Sequence, residues 1–355
     1  MSAVRPFGKP ARLHRGDRVA IVSPSFPAVD RWPHRAERGV AYLEGLGLEV
    51  RMMANAARSG RWVAGSASER VDDLHAAFAD PEIKAIVCAT GGNHSNELVS
   101  HLDYEMISRN PKIFQGYSDM TVLHWALLKH TGMVTFYGPS LVLEMAEYPS
   151  VLQPTDDSLR AAWFGGSPLI FDAAKEWTDE FLDWNEKTDL SRARAMRPNP
   201  GWRWLQQGSA TGPLMGGCLE TILWHIKGSA EWLDLSGAIL FLETSEEAPS
   251  PAHVDAYLTD LANLGVLGQI AGLVMGRPMN YTADAAELLW QVVVEHTTGR
   301  AIPVLANIDC GHTDPMLTLP LGVESRLDSH ENIFEATEAA TSRGSIAPGR
   351  DRARR

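Results

Sequence analysis

The sequence is poor in cysteine and contains no long apolar run. Three cysteines in 355 residues, Cys88, Cys218 and Cys310, are too few and too scattered for a disulfide framework or a CxxC metal site. No run of about 18 apolar residues occurs, and the basic N-terminus lacks the apolar segment of a signal peptide. We therefore expect a cytoplasmic protein with reduced thiols and no membrane-spanning segment.

Basic residues are also in the minority. The chain has 32 Lys and Arg against 44 Asp and Glu, a net charge of −12, which argues against a sequence-independent nucleic-acid binder. The dinucleotide fingerprint GxGxxG is absent after the third predicted strand, and the histidines lack paired metal-ligand spacing. We therefore expect no cofactor and no metal ion.

The length favours two domains, because single cores usually stop growing below this size. In the first half, short β-rich runs alternate with helical patterns, which is typical of a parallel sheet in an α/β domain. This alternation predicts a flavodoxin-like or class I amidotransferase-like fold. The predicted strands are 18–24, 48–53, 82–90, 112–118 and 133–139, and the predicted helices include 33–45 and 68–80, the latter N-capped by Ser68.

The second half repeats the alternation after a polar, Trp-containing stretch. A long connection of this kind inside a compact protein is usually a functional loop or a linker. Helices are predicted over 217–228, 251–265 and 283–299, and strands over 238–243, 270–276 and 302–308, followed by short β-like pieces. The predicted units are an N-terminal α/β domain (1–165), a linker and substrate loop (166–205), a C-terminal α/β domain (206–340) and a disordered basic tail (341–355).

Ser118 is the first candidate for chemistry. It closes the predicted strand KIFQGYS and opens a helix, so its hydroxyl would stand at the carboxyl edge of the sheet. The first N–H groups of that helix favour a developing oxyanion there. The structural alternative is a plain N-cap serine.

A second polar turn, GGNHSNEL, follows the predicted strand 82–90. Its two glycines let backbone N–H groups face inward, as an oxyanion hole or an anion-binding site requires, although a tight turn alone would also explain them. The polar residues that follow suit ligand contacts at the same edge: Asn93, His94, Ser95 and Asn96.

Glu243 and His312 complete a possible triad with Ser118. Glu243 ends the apolar strand AILFLE, where a buried carboxylate needs a hydrogen-bond donor. His312, in CGHTDP beyond another strand, can be that donor, and catalytic groups collect at this edge of open α/β sheets. The residues alone leave several alternatives open, namely Ser23, Ser25 and Ser140 as nucleophile, Glu246 and Glu247 as acid, and Asp309 and Asp314 as partners of His312.

Taken in order, the motifs SPS, GGNHSN, GYSD, GPLMGGCLETI, FLETSEE and CGHT resemble the LD-carboxypeptidase and microcin C self-immunity family of serine peptidases. The resemblance runs from about Gly16 to Thr337. It implies an N-terminal flavodoxin-like domain, a C-terminal swivelling α/β domain, a homodimer and a metal-free triad. The implied roles are Ser118 as nucleophile, Glu243 as orienting acid, His312 as general base, and the backbone N–H groups of Gly92 and Asp119 as oxyanion hole.

Within that family, the sequence resembles the self-immunity branch more than the peptidoglycan-recycling branch. Thr90 precedes the pair Gly91 and Gly92, where the recycling branch has arginine. The loop EWTDEFLDW resembles the branch in which an aromatic side chain stacks on adenine, and Trp184 is the candidate, with a hydrophobic loop anchor as the alternative role. The chain departs from that branch at His94 and Cys218, where the branch has asparagine, and both departures concern the substrate.

The expected activity is therefore cleavage of the amide bond in a peptidyl or aminoacyl nucleotide, such as processed microcin C, which would detoxify it. One alternative is a muropeptide LD-carboxypeptidase of peptidoglycan recycling. Another is a protein that binds nucleotide conjugates without cleaving them. In each case the expected partner is a small molecule, with no nucleic acid and no membrane.

Overall fold

The computed structural model describes residues 7–343. Most of the predicted basic tail (341–355) therefore lies outside the described residues, which end before Gly344. Within the described range, the helices are too short or too polar to cross a bilayer.

The first half of the chain forms the predicted parallel sheet. Its strands are β1 (Arg18–Val22), β2 (Glu49–Met52), β3 (Ile83–Cys88), β4 (Ile113–Gly116) and β5 (Thr135–Tyr137). They lie in the spatial order β5-β4-β3-β1-β2, and all neighbours are parallel. This is the flavodoxin-like order, in which ligands bind at the carboxyl ends of the strands where the order reverses.

Helices cover this sheet, and one of them begins at a capping box. They are α1 (Ala28–Arg31), α2 (Pro33–Gly45), α3 (Ala67–Ala79), α4 (Tyr104–Arg109), α5 (Thr121–Thr131) and α6 (Gln153–Phe164). The predicted N-cap of α3 at Ser68 is wrong, because Ser66 caps the helix. The Ser66 hydroxyl accepts from the Glu69 N–H, and the Glu69 carboxylate accepts from the Ser66 N–H.

The second half forms an eight-stranded mixed sheet. The strands from the connection onward are β6 (Leu169–Ile170), β7 (Glu176–Trp177), β8 (Arg197–Pro198), β9 (Arg203–Gln206), β10 (Ser209–Cys218), β11 (Ile239–Glu243), β12 (Gly272–Gly276), β13 (Val304–Ile308), β14 (Leu319–Leu321), β15 (Glu324–Asp328) and β16 (Ile333–Ala336). The order of strands in the eight-stranded sheet is β6-β16-β15-β10-β11-β12-β13-β9, and β10 to β13 are parallel. The helices are α7 (Leu219–Thr221), which continues as a π-helix over Ile222–Ile226, α8 (Pro251–Asn263) and α9 (Ala283–Thr297).

The predicted α/β class with two sheet domains is confirmed, and the chain passes between the two sheets more than once. The connection 166–205 supplies the edge strands β6 and β9 of the second sheet and pairs β7 with β8. In the opposite direction, β14 leaves the second half and pairs antiparallel with β5 of the first sheet. The domain limits predicted from the sequence therefore remain a prediction.

Helix α5 and strand β10 form a close seam between the halves. The Trp125 indole N–H donates to the Gly216 carbonyl at 2.9 Å, and the Cys218 N–H donates to the Thr121 hydroxyl at 3.0 Å. Gly217 has a φ of +142°, and a Cβ there would stand 2.6 Å from the Thr121 side chain. Since α5 follows Ser118 directly, this seam fixes Ser118 relative to the second sheet.

Candidate active site

Ser118 lies on a sharp turn between β4 and α5. β4 ends at Gly116, and a single 3-10 turn over Ser118–Met120 leads into the helix. The backbone φ of Ser118 is +64°, a left-handed value that is uncommon for residues other than glycine. Such strain at a strand-to-helix turn is typical of a nucleophile elbow, which exposes a serine hydroxyl above the sheet.

His312 and Glu243 lie beside Ser118, although both come from the second half of the chain. Glu243 ends β11 and is fully buried, and His312 lies in the loop after β13. The Ser118 Oγ is 3.1 Å from His312 Nε2, and Glu243 Oε2 is 2.8 Å from His312 Nδ1. With the neutral ring protonated on Nδ1, the imidazole donates to Glu243 and accepts from Ser118. The hydroxyl, imidazole and carboxylate thus have the mutual geometry of a Ser-His-Glu triad.

A tyrosine hydroxyl lies between the Glu243 carboxylate and the backbone of Ser118. Tyr137, the last residue of β5, donates to Glu243 Oε1 at 2.5 Å and accepts from the Ser118 N–H at 3.1 Å. Each Glu243 oxygen thereby has a donor, as a fully buried carboxylate requires. Burial and the charge of Glu243 raise the pKa of Tyr137 well above its ordinary value, so the hydroxyl stays protonated.

Two carboxylates contact His312. Besides Glu243, the exposed Glu246 places Oε2 3.0 Å from His312 Nε2, the same atom that faces Ser118. Burial alone would lower the pKa of His312, but the charges and hydrogen bonds of Glu243 and Glu246 hold it well above its ordinary value. The Tyr117 ring meets the imidazole edge-on, with ring centroids 5.0 Å apart. When the ring is protonated, its Nε2–H can donate to Glu246, and when it is neutral, Nε2 can accept from Ser118.

The turn after β3 packs directly against Ser118. A Cβ on Gly91 would stand 3.1 Å from the Ser118 Oγ and 3.2 Å from the Asp119 backbone N, so a side chain there would crowd the hydroxyl. The Asp119 carboxylate accepts from the N–H groups of His94 and Ser95, both at 3.0 Å. The glycine turn and the Asp119 N–H thus border the space next to the hydroxyl.

A cavity of about 460 Å³ opens beside these groups. The predicted site residues in its walls are Gly91, Gly92, Asn93, Ser118, Trp184 and His312. Aromatic and charged side chains complete the walls, including Phe26, Trp32, Tyr117, Phe181, Arg35, Arg194, Glu144, Glu147, Asp179, Glu180, Asp189, Glu246 and Asp314. A cleft of this size is suited to a small-molecule ligand.

Trp184 both lines the cavity and holds the connection in place. The Arg35 guanidinium of α2 lies over its ring at 4.2 Å, and the Trp32 ring meets it edge-on at 4.9 Å. Phe181 packs beside it at 5.2 Å and is 59% exposed. These contacts fit the predicted loop anchor, while Trp184 and Phe181 still present aromatic surface to the cavity.

Two segments of the chain match known protein domains. Residues 19–138 match the LD-carboxypeptidase N-terminal domain, and residues 211–327 match the LD-carboxypeptidase C-terminal domain. Together they span more than half of the chain. The chain belongs to the LD-carboxypeptidase family. It is therefore a serine-type peptidase, as the sequence motifs predicted.

Some relatives of this LD-carboxypeptidase-family chain are named as self-immunity proteins and others as carboxypeptidases. The Escherichia coli microcin C7 self-immunity protein is 32% identical over 333 residues, which cover 92% of this chain and 95% of that protein. A Bacillus subtilis protein named "Probable murein peptide carboxypeptidase" is 30% identical over 341 residues, which cover 95% and 97%. The solved structure of the microcin C7 self-immunity protein MccF in complex with aspartyl sulfamoyl adenosine has a TM-score of 0.87 at 31% identity, covering 94% of this chain and 100% of that one. Because identity to both kinds is near 30%, membership of the family does not distinguish their substrates.

Three residues predicted to contact a substrate lie outside the cavity walls among residues 7–343. His94 contributes its backbone N–H to Asp119, and Ser95 is buried with its hydroxyl donating to the Asp119 carboxylate at 2.9 Å. The Asn96 amide pairs with the His225 ring at 3.2 Å. The placement of these residues supports a structural role in the turn rather than the predicted substrate contact.

Cys218 also lies outside the cavity walls of the described chain. It ends β10 in register with Glu243 of β11 and is buried. Its N–H donates to Thr121, and its Sγ lies 3.7 Å from a Glu220 carboxylate oxygen. The predicted substrate contact of Cys218 therefore has no support in its surroundings, which are those of the seam between the halves.

Most of the alternative nucleophiles and partners considered from the sequence have other contacts, whereas Glu246 contacts His312 at Nε2, the atom that faces Ser118. Ser23 donates to a backbone carbonyl at 2.7 Å, Ser25 accepts a backbone N–H of the glycine turn at 3.0 Å, and Ser140 is fully buried. Asp309 and Asp314 each pair with an arginine, at 2.6 and 2.7 Å. In contrast, Ser118 and Glu243 meet His312 directly.

Tyr137 was not predicted from the sequence, although a signal for it was present. A buried carboxylate needs a donor for each of its two oxygens, and His312 supplies only one of them to Glu243. The second donor had to come from another strand end at the same edge. β5 ends in Tyr137, whose hydroxyl fills that role.

Proposed function

We propose that this chain hydrolyses the amide bond that joins an aminoacyl or peptidyl group to a nucleotide, with Ser118 as nucleophile. His312 is the general base and Glu243 the acid that orients it. The observation that carries the proposal is the pair of contacts at 3.1 and 2.8 Å between side chains of three distant segments. A hydroxyl in contact with a buried, carboxylate-bound imidazole is the arrangement that activates serine.

In the proposed reaction, the Ser118 oxygen attacks the amide carbonyl while His312 accepts the hydroxyl proton. The imidazolium then donates that proton to the departing nitrogen, which leaves an acyl-serine ester. Water, deprotonated by the same imidazole, releases the acid and restores the hydroxyl. Glu243 fixes the ring orientation and stabilises the imidazolium.

Backbone N–H groups of Gly92 and Asp119 are proposed to bind the oxyanion. The Asp119 N–H begins the turn into α5, where the positive end of the helix favours negative charge. The close approach of Gly91 to Ser118 and to this N–H supports the proposal, because it brings the glycine turn beside the attacked carbonyl.

For the nucleotide, we propose the aromatic wall of the cavity formed by Trp184 and Phe181. An exposed aromatic ring such as Phe181 suits stacking of a nucleobase. The bound aspartyl sulfamoyl adenosine in the similar structure of MccF supports this substrate class. Hydrolysis of such a conjugate would detoxify it, as expected of a self-immunity protein.

A muropeptide carboxypeptidase is the second candidate, supported by the name of the Bacillus subtilis relative. That reaction releases an amino acid whose free carboxylate calls for a cationic partner. The arginines in the cavity wall already have anionic partners: Arg35 pairs with Asp189 at 2.8 Å, and Arg194 with Glu147 and Asp314 at 2.7 Å. Because both arginines are already paired with carboxylates, we favour the nucleotide conjugate over the muropeptide as the substrate.

The test compares the wild type with Ser118→Ala on an aminoacyl sulfamoyl adenosine and on a murein tetrapeptide, with products identified by mass spectrometry. We expect the wild type to cleave the nucleotide conjugate faster, and Ser118→Ala to lose about 10⁴-fold or more in turnover with its fold intact. Ser140→Ala is the control and should keep the activity.

Retained turnover in Ser118→Ala would contradict the proposed nucleophile. Faster cleavage of the tetrapeptide would favour the murein substrate, and an unchanged ligand mass with wild-type protein would favour sequestration. Labelling with a fluorophosphonate, followed by peptide mapping, should place the adduct on Ser118.

A further inference from the structure

Glu246 is a carboxylate at the reacting centre that the proposed triad does not use. It lies in the loop after β11, is exposed, and lines the cavity. Its Oε2 is 3.0 Å from His312 Nε2, while the Ser118 Oγ is 3.1 Å from the same atom. Glu246 therefore competes with Ser118 for His312 when no substrate is bound.

We propose that Glu246 binds the free ammonium group of the acyl part of the substrate and so selects acyl donors that carry a cation next to the scissile carbonyl. The inference rests on the proposed function for the position of the acyl group. It adds a chemical requirement on that group.

The distances allow this contact without rearrangement. Glu246 Oε2 and the Ser118 Oγ are no more than about 6 Å apart, since each lies near 3 Å from one nitrogen. In an aminoacyl group, the ammonium nitrogen is about 2.5 Å from the carbonyl carbon that Ser118 attacks. An ammonium on a bound aminoacyl group can therefore come within hydrogen-bond reach of the carboxylate.

The charge around Glu246 also favours a cation. Carboxylates outnumber arginines in the cavity wall, and the ion pairs of Arg35 and Arg194 leave no charge of theirs to neutralise Glu246. A cleft lined by one sign of charge attracts the opposite sign. When an ammonium pairs with Glu246, the charge of one of the two anions that raise the pKa of His312 is neutralised. The imidazolium then releases the proton on Nε2 to solvent more readily, and the deprotonated Nε2 can accept from Ser118.

The test uses L-alanyl 4-nitroanilide and isobutyryl 4-nitroanilide, in which a methyl group of similar size replaces the ammonium. At pH 7 we expect the wild type to prefer the alanyl probe by about 10- to 100-fold in kcat/KM, the effect of one charged hydrogen bond. Glu246→Gln should bring this ratio close to one, whereas Glu247→Gln should keep it. Because the ratio is taken within each variant, any effect of the substitution on His312 that is common to both probes cancels.

An unchanged ratio in Glu246→Gln, no preference in the wild type, or turnover of neither probe would each overturn the inference. A preference that persists in the wild type well above the ammonium pKa of about 8 would also overturn it, because the recognition would then not depend on charge. The probes contain no nucleotide. Failure of the proposed function would therefore appear as absent cleavage of the nucleotide conjugate, with the ratio still measurable on the anilides.

Discussion

Tyr137 is the residue through which the backbone of Ser118 and the carboxylate of Glu243 are connected. Its hydroxyl is buried, so removing it leaves a Glu243 oxygen without its donor. We expect Tyr137→Phe to lower kcat by about 10- to 100-fold and the free energy of unfolding by about 1–3 kcal/mol, since an unsatisfied buried acceptor carries that cost. Steady-state kinetics and urea unfolding measure the two effects.

Tyr104→Phe is the matched control for that prediction. The Tyr104 hydroxyl donates to the Val99 carbonyl at 2.7 Å and belongs to a different part of the first domain. We expect its loss to cost about 1 kcal/mol of stability without changing kcat. Equal kcat losses in both variants would show that Tyr137 has no particular connection to the reaction.

The pH dependence of hydrolysis should reflect the two carboxylates on His312. Removing the charge of Glu246 lowers the pKa of His312, so the imidazole loses its proton at lower pH and can act as a base there. We expect Glu246→Gln to move the acid limb of kcat/KM by about one pH unit or more toward lower pH. Tyr117, whose pKa burial raises, stays neutral throughout this range.

A pH series from 5 to about 9 on the nucleotide conjugate measures this shift, since the groups involved titrate across that range. Glu247→Gln is the control, because it removes the charge of the carboxylate next to Glu246 in the chain. The Glu247 backbone N–H donates to the Ser245 hydroxyl at 3.3 Å and is unaffected by this substitution. A midpoint that stays in place in Glu246→Gln would mean that Glu246 does not influence the protonation of His312.

For individual residues, the sequence could predict which ones lie at strand ends, but it could not predict in which direction the side chains of a turn point. Ser118, Glu243 and His312 were predictable because each lies at or shortly after the end of a buried strand, and strand ends meet at one sheet edge. Ser95 and Asn96 follow a strand as well, yet their side chains turn toward Asp119 and His225. Side-chain direction in an irregular turn depends on contacts from distant segments.

The seam between α5 and β10 depends on a residue without a side chain. At Gly217, alanine would adopt an unfavourable left-handed φ and place its Cβ 2.6 Å from Thr121. We expect Gly217→Ala to lower the free energy of unfolding by about 2–5 kcal/mol, through backbone strain and overpacking together. It should also reduce kcat, because Thr121 begins the helix behind Ser118.

Gly228→Ala separates strain from overpacking. Gly228 has a φ of +77°, but a Cβ there would meet no atom within 4 Å. Its substitution should cost only the strain, about 1–2 kcal/mol, and leave kcat unchanged. If urea unfolding gave equal losses for both variants, the close approach to Thr121 would be irrelevant to stability.

Regular elements were predictable where apolar periodicity was strong, as in α2, α8 and β11. Strand β10 was missed because its sequence, SATGPLMGGC, is rich in glycine and proline, which usually mark loops. It is a strand because β11 and β15 pair with it on both sides. Tertiary pairing of this kind overrides local preference and is invisible in one segment of sequence.

The connection 166–205 contacts both halves of the chain next to the site. The backbones of Thr178 and Asp314 exchange two hydrogen bonds, at 2.7 and 2.9 Å. Arg194 pairs with Glu147 of the first half and with Asp314, two residues after His312. The loop that carries Trp184 is thereby tied to both halves.

Arg194→Met should weaken the contacts between this connection and the two halves of the chain. It leaves two carboxylates close together and largely buried without their cation, a change that typically costs about 3–5 kcal/mol. We expect lower stability and faster proteolytic cleavage within 166–205. Arg192→Met is the control, because Arg192 forms an exposed pair with Glu180 and should cost less than about 1 kcal/mol.

Equal cleavage rates in the two variants would mean that Arg194 does not restrain the connection. The homodimer implied by the family resemblance stays a prediction, which sedimentation velocity on the wild type would test.

The order of the site's segments along the chain also determines when the site can form during synthesis. Ser118 belongs to a sheet whose first five strands end by Tyr137, but its imidazole partner and the edge strand β14 come from residues beyond 310. Since domains fold progressively as the ribosome releases them, the sheet that carries Ser118 can form before His312 has been synthesised. The contact between Ser118 and His312 can therefore form only after residues beyond 310 have left the ribosome.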